Sequence, residues 1–467
     1  MSHPPVAAHD LRPAVVLGGS LAGMLAAQAL SEFAHVTIVE RDVLPQGPEP
    51  RKGLPQAQHV HQMWSGGAHA LEQLLPGTTD RLKSAGARHL AVPTDMVAFS
   101  TQGWFRRWAE SHYMILCSRD LLDWTVRQQV LNSDRITLIE RAEVLGLEGS
   151  QTAITGARVR RHDAEERVLP ADLVVDATGR GSRAPDWLQA LGVPAAATRR
   201  VASGLVYASR TYSAPERARE KFPVVNVQAD PRGQGPGQAG VLVPIEDGRW
   251  LVTLAGTRGG EPTTSNDDFR DFALGLRDPV IGQLLATAQP LTDVVLTRTT
   301  ANVRHYYENI RHWPDGFVAL GDSVAAFNPV YGHGMSVSAQ SAVQLRKIVG
   351  RHGLGSPGLA ASVQKAVGRT VTTAWDLATG QDVFYPGATT TGPTLRERAA
   401  ARYVDRLMYT ATGNGRVARA VTDVTSLQRG IPVLLRPSIL IAAARGPLKP
   451  QLKEPPLTGA EWKAAAE

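Results

Sequence analysis

The pattern begins with a short unbroken apolar run, Ala14-Val-Val-Leu17, followed at once by the small-residue turn Gly18-Gly-Ser-Leu-Ala-Gly23. Continuous hydrophobicity of this length predicts a strand covered on both faces. Apolar residues then recur at helical spacing from Met24 to Phe33. A second run, His35-Val-Thr-Ile-Val-Glu40, predicts the next strand. Strand, glycine turn, helix and strand at this length form one half of a doubly wound sheet. A loop rich in Pro, Gly and charge fills residues 42–58, and helical spacing returns over 60–75. A stronger helix is predicted over 118–131, with Leu121, Leu122, Trp124 and Val126 on its apolar face. Short strands with hairpin turns follow from 135 to 179.

From 191 to 302 the texture is strand-rich, interrupted by a helix over 266–276. The turn Glu246-Asp-Gly-Arg249 between two alternating runs predicts a hairpin. At Gly316-Phe-Val-Ala-Leu-Gly-Asp322 the chain returns to the first unit, and a long helix runs over 336–352. The remainder is mostly helical with Pro and Gly breaks. The expected architecture is mixed α/β. It has a Rossmann-like domain built from 1–190 and 303–349, an interleaved β-sheet domain at 191–302, and a mainly helical C-terminal region at 350–467.

Composition narrows the classes. Hydrophobic residues are 43% and charged residues 20% of 467, as in an ordinary globular protein. The net charge of +7 is scattered mostly as Arg, so no nucleic-acid tail is expected. One cysteine, Cys117, leaves no internal disulfide and no Cys-based metal cluster. The N-terminus lacks the basic and apolar regions of a signal peptide. No run reaches the ~18 apolar residues of a bilayer span. A cytoplasmic protein without stable membrane insertion is expected.

Three segments carry candidate chemistry. The first is Gly18-Gly19-Ser20-Leu21-Ala22-Gly23. A turn of small residues lets the backbone approach a pyrophosphate, which the following helix N-terminus attracts. Ser20 stands where the usual spacing has glycine, at a site where positive φ would disfavour serine. Glu40, 22 positions after Gly18, is placed to accept hydrogen bonds from a ribose diol, with Arg41 beside it. The second is Asp176-Ala-Thr178-Gly179, a buried strand running into a tight turn. The third is Gly321-Asp322, with Pro329, Gly332, His333, Gly334, Met335 and Ser336 in the curl before a helix, whose positive end favours a developing anion. Arg119, opening its helix, is a fork donor for a pyrophosphate. The plain alternative for each segment is an ordinary turn or helix start; their combination favours a dinucleotide. His59 and His61 would share a face on a strand but not on a helix, and no metal is assigned.

Together GGSLAG with Glu40, Arg119-Asp-Leu-Leu, Asp172-Leu-Val-Val-Asp-Ala-Thr-Gly and Gly-Asp-Ser with Asn-Pro-Val-Tyr-Gly-His-Gly-Met-Ser resemble the flavin monooxygenase superfamily that includes para-hydroxybenzoate hydroxylase and squalene epoxidase. The resemblance covers roughly residues 12–349. The phrases RKGLPQAQHVHQMWSGGAHALEQLLPG, LPADLVVDATGRGS, VLVPIEDGRWLVTLAGTRGGEP and AAFNPVYGHGMS look most like the bacterial epoxidases of polyether ionophore biosynthesis, of the monensin and lasalocid type, and that similarity extends almost to the C-terminus. It implies FAD as cofactor, with Arg51 and Lys52 in a loop over the flavin.

The resemblance further implies epoxidation of a linear polyketide polyene through a C4a-hydroperoxyflavin, with molecular oxygen as co-substrate. Electrons would come from NAD(P)H or a partner flavin reductase, since no second glycine-rich unit is present. The substrate would be free or bound to an acidic carrier protein. The flavin carries the chemistry, so no catalytic side chain is assigned; the protein orients substrate and excludes water. Met63, Trp64, Trp104, Phe105, Tyr207, Val227 and Phe327 are candidate walls of an apolar, elongated pocket. The alternatives are an aromatic hydroxylase, a geranylgeranyl-reductase-like alkene reductase and a flavin-binding sensor. A halogenase is less favoured because the sequence has no W-x-W-x-I-P segment.

Overall fold

The computed structural model describes residues 11–162, 165–298 and 300–467. Most of the N-terminal segment read above against a signal peptide lies outside them. Five strands form a parallel sheet: β1 (Arg12–Leu17), β2 (Ala34–Val39), β3 (Ile136–Ile139), β4 (Leu173–Asp176) and β5 (Phe317–Ala319), in the order β5-β4-β1-β2-β3. Residues of β4 and β5 are fully buried, which explains why they read as unbroken apolar runs rather than alternation. Helix α1 (Leu21–Leu30) follows β1, and α2 (Arg119–Leu131) precedes β3. Helix α3 (Gly334–His352) packs against α1. One large core, from Val16 and Ile38 to Phe317 and Val337, unites these elements although they lie 300 residues apart.

A second, mainly antiparallel sheet is built on Val206–Ser213, Arg249–Gly256, Gln238–Ile245 and Val224–Val227. The strand Met96–Ser100 joins it in parallel register with Val224–Val227, so residues preceding 191 also contribute to this sheet. The expected hairpin is present: Ile245 pairs with Arg249 across the three-residue loop Glu246-Asp247-Gly248, in which Asp247 and Gly248 both take positive φ (60° and 63°). Residues 60–75 depart from expectation. Gln62–Trp64 is a strand paired with His112–Leu116, and the helix begins only at Ser65. Met63 and Trp64 are held there by Ile115 and Met114, so tertiary pairing overrides local helical spacing.

The C-terminal region is helical, as expected. α4 (Leu359–Asp382) lies against α3 and β5. α5 (Leu395–Gly413), α6 (Gly415–Thr425) and α7 (Pro437–Arg445) share a separate small core around Leu407, Val417 and Ile439. Among the described residues no helix is long and apolar enough to cross a membrane.

Candidate functional site

The three segments meet at the C-terminal ends of β1, β4 and β5, the edge where doubly wound sheets bind ligands. Gly18 has φ +97°, and a Cβ there would sit 2.7 Å from the Ala177 carbonyl oxygen, so the first segment is pressed against the second. A Cβ on Gly321 would meet that of Ala22 at 2.9 Å, so the third is pressed against the first. Gly179 N–H donates to Ser323 Oγ (2.9 Å), and Leu320 N–H to the Asp176 carbonyl (2.9 Å), joining the second to the third.

The concern over Ser20 is resolved by its backbone. Ser20 is the residue before α1 with φ −88°, a conformation open to any L-residue. The steric demand falls instead on Gly18 and on Gly23, whose Cβ would stand 1.8 Å from the Gly18 oxygen. The Ser20 hydroxyl does not cap α1; it accepts from Arg119 Nη2 at 3.3 Å. The first N–H groups of α1 are therefore left for an anion. Arg119 is itself buried and oriented by Asp123 (2.7 Å).

Glu40 is buried and engaged three times, its Oε1 accepting from Asp42 N–H at 3.0 Å. It accepts from Gly19 N–H at 2.8 Å and from Arg51 at 2.9 Å, and Arg51 also donates to the Gly19 carbonyl. The loop of Arg51 thus closes on the turn. Arg41 and Lys52 are exposed. Asp176 is fully buried and accepts from Thr178 and Ser182; burial raises its pKa. Its side chain organises the Thr178–Gly179 turn, while Gly179 itself has open space beside it and φ +81°.

In the third segment, Asp322 stands beside the start of α3, 3.6 Å from where a Gly334 Cβ would lie, and 3.6 Å from the Arg180 guanidinium. Burial raises its pKa, opposed by Arg180 and Arg119. Gly332 takes φ +64°, while Pro329 is exposed. Met335 and Ser336 turn inward; Ser336 Oγ faces the Met63 sulfur at 3.7 Å. His333 is buried, with Nε2 donating to the Thr425 carbonyl at 2.9 Å. Burial lowers its pKa to about 4, so the ring is neutral at pH ~7. Its Nδ1 has no hydrogen-bond partner among the described residues, and neither do Arg51 Nε, His59 Nε2 and Trp64 Nε1. Buried polar atoms are normally satisfied, and two of these four unpartnered atoms belong to predicted cofactor residues, Arg51 and His333.

Sequence reasoning missed two networks. Asp382, the last residue of α4, accepts from Asn302 (2.8 Å), Asn328 (2.8 Å) and Tyr331 (2.7 Å). Tyr207 OH donates to Asn328 Oδ1 at 2.6 Å. This ties the Pro329–Gly334 loop to α4 and to the second sheet. The only advance signal was the polar Asn328 inside an apolar phrase. The other network joins His59 Nδ1 to Ser209 Oγ (2.7 Å) and Ser209 to Thr253 (2.6 Å). His61 instead bonds the His59 carbonyl, and burial lowers the two imidazoles to about 4 and about 3.

The seven candidate wall residues are distributed over several packing clusters. Met63 and Phe327 belong to the main core, Trp104 and Val227 to the core beneath the second sheet, and Trp64 to a third cluster. Phe105 packs on the C-terminal helices. Of the seven, Trp64 lies near His333 (ring centroids 6.4 Å) and Tyr207 near His59 (5.8 Å). A cavity of about 1220 Å³ opens between α2 and the second sheet, lined among others by Gln58, Trp124, Ser209, Glu246 and Leu251, and by none of the seven.

The fold is shared with flavin-dependent monooxygenases and halogenases. The flavin-dependent brominase Bmp2 superposes with TM-score 0.66 at 13% identity, covering 93% of this chain and 99% of that one. PqsL, a probable FAD-dependent monooxygenase from Pseudomonas aeruginosa, gives 0.56 at 17%, covering 81% and 99%. The anhydrotetracycline hydroxylase OxyS from Streptomyces rimosus gives 0.58 at 14%, covering 89% and 76%. No family model matches the sequence. The chain belongs to the family of protein Rv3254 of Mycobacterium tuberculosis, to which it is 31% identical over 388 residues, 80% of this chain and 81% of that protein.

Proposed function

We propose that the chain is an FAD-dependent monooxygenase that epoxidises alkenes of a linear polyketide polyene in polyether biosynthesis. The observation that carries the flavin reading is the convergence of three distant segments at the mouth of β1, β4 and β5. The residues present fit FAD. Gly18 and Gly23 leave no room for a side chain between the turn and its neighbours. The uncapped start of α1 and the Arg119 guanidinium would hold the pyrophosphate. Glu40 would take the ribose hydroxyls and Asp322 the ribityl chain. The start of α3 would lend its positive end to the ring edge, with the orphan Nδ1 of His333 beside it.

FAD, once reduced by NAD(P)H or a partner reductase, supplies the activation of molecular oxygen for transfer to an alkene. The chain's own work is placement and dryness. Arg51 closes the Glu40 side, and the Asp382 network fixes the Asn328–Gly334 loop. The neutral rings of His59 and His333 add no charge that would draw water inward. A long substrate is supported by the resemblance of whole phrases to polyether epoxidases.

The test is mass spectrometry of the product from a triene polyketide analogue, reduced flavin and heavy-isotope oxygen gas. One heavy oxygen per reacting alkene is expected. Gain of hydrogen instead would identify an alkene reductase, and halide incorporation a halogenase. Hydroxylation of phenols in preference to the triene would identify an aromatic hydroxylase. Absence of any turnover would leave a flavin-binding module.

A further inference from the structure

The positive charge of this protein is not spread evenly. Between Arg396 and Lys453 there are 11 basic residues and three acidic ones, while the rest of the chain holds 39 basic and 40 acidic residues. The three acids are already occupied: Glu397 by Arg199, Asp405 by Arg232, and Asp423 by His112 and Arg429. Arg416, Arg419, Arg436, Arg445 and Lys449 are exposed and have no carboxylate partner among the described residues. A groove of about 640 Å³ gathers Arg416, Arg419, Arg429 and Arg436.

Beside this groove lies α7, Pro437-Ser-Ile-Leu-Ile-Ala-Ala-Ala-Arg445. Its inner face, Ile439 and Ala443, is buried on α5 and α6. Its outer face is apolar too: Leu440 is 43% exposed and Ile441 52%, with Leu435 at 56% just before the helix. A surface helix normally turns polar residues outward. Exposed Leu and Ile flanked by Arg and Lys is the composition of a helix that lies in a lipid interface, apolar side down and basic side toward headgroups.

We infer that the lobe formed by α5, α6 and α7 docks peripherally on an anionic phospholipid surface, with Leu435, Leu440 and Ile441 entering the interface and the arginine groove receiving phosphate headgroups. The charge surplus selects this occupant over a neutral apolar partner. Docking would hold the site against the surface, because the end of α6 contacts the site directly through Thr425 and His333.

The experiment is flotation of the flavin-loaded, full-length protein with phosphatidylcholine vesicles, with and without phosphatidylglycerol, at about 0.1 M salt. Binding to the anionic vesicles is expected to exceed that to neutral ones by about tenfold or more. Leu440→Glu with Ile441→Glu, and separately Arg416→Glu with Arg419→Glu, should each lose it about tenfold while keeping the wild-type melting temperature and flavin content. Equal binding by wild type and variants overturns the proposal, as does no partition into anionic vesicles. Sedimentation velocity showing a dimer abolished by Leu440→Glu would assign the face to a second copy instead. Complex formation with an acidic carrier protein in the absence of vesicle binding would assign it to that partner. None of these readouts requires turnover, so failure here leaves the monooxygenase reading standing.

Discussion

His333 Nε2 lies 2.9 Å from the carbonyl oxygen of Thr425, which makes the C-terminal helical lobe part of the floor of the site rather than an appendage. The ring can donate this bond in either protonation state; it is burial, opposed by the Thr425 bond, that keeps the imidazole neutral. His333 and His59 are lowered to about 4, and His61 to about 3, mainly by burial. An unfolded imidazole titrates near pH 6.5. The stability these neutral rings provide is therefore complete above pH ~6.5, and is lost progressively as pH falls toward the folded values. For His333 alone the loss at pH ~5 is on the order of 2 kcal/mol. Urea unfolding at pH ~7 and ~5 should show it, and His333→Gln should be less acid-sensitive by about that amount.

Gly23→Ala should abolish flavin retention, because its Cβ would stand 1.8 Å from the Gly18 oxygen and force the turn open. Gly18→Ala should cost about 1–3 kcal/mol of stability through backbone strain and weaken binding as well. Ser20→Gly should bind flavin within a few-fold of wild type, since φ −88° demands no glycine. Flavin absorbance after gel filtration separates the three outcomes.

Glu40→Ala leaves the buried Arg51 guanidinium without its 2.9 Å carboxylate, at a cost of about 3–5 kcal/mol. Adding Arg51→Met should recover much of the melting temperature without restoring cofactor affinity. Thermal melting and flavin titration of both variants give the comparison. Additive losses of stability would contradict coupling of the pair.

Asp382→Asn turns an acceptor of three strong hydrogen bonds into a side chain whose amide confronts those of Asn302 and Asn328. The expected cost is about 1–3 kcal/mol. As a positioning effect on the Asn328–Gly334 loop, it should also shift the absorption and midpoint potential of the bound flavin. Asp382→Ala with unaltered flavin spectra would reduce this network to a purely structural role.

Much of the fold was legible because its strands are continuous apolar runs punctuated by glycines with steric reasons. Gly18 and Gly23 are required by their neighbours, and the Asp247-Gly248 turn by its positive φ. Residues 62–64 were misread because Met63 and Trp64 obey a distant partner strand, which local periodicity cannot show. Pocket and core cannot be told apart from residue type alone. Trp104 and Val227 look alike as sequence whether they line a cavity or fill a core, and both are below 2% exposed in a packed cluster. The Asp382 network stayed hidden because its members come from four separate parts of the chain, at 207, 302, 328–331 and 382.

The central claim is that three segments together grip one dinucleotide. It is tested most directly by stripping the purified protein of flavin and titrating it with FAD and with FMN, which lacks the adenylate half that the Gly18 turn, Glu40 and Arg119 would hold. The account predicts one FAD bound per chain and FMN binding weaker by about a hundredfold or more, equivalent to roughly 3 kcal/mol. Equal affinity for FMN, or no retention of FAD, would contradict it.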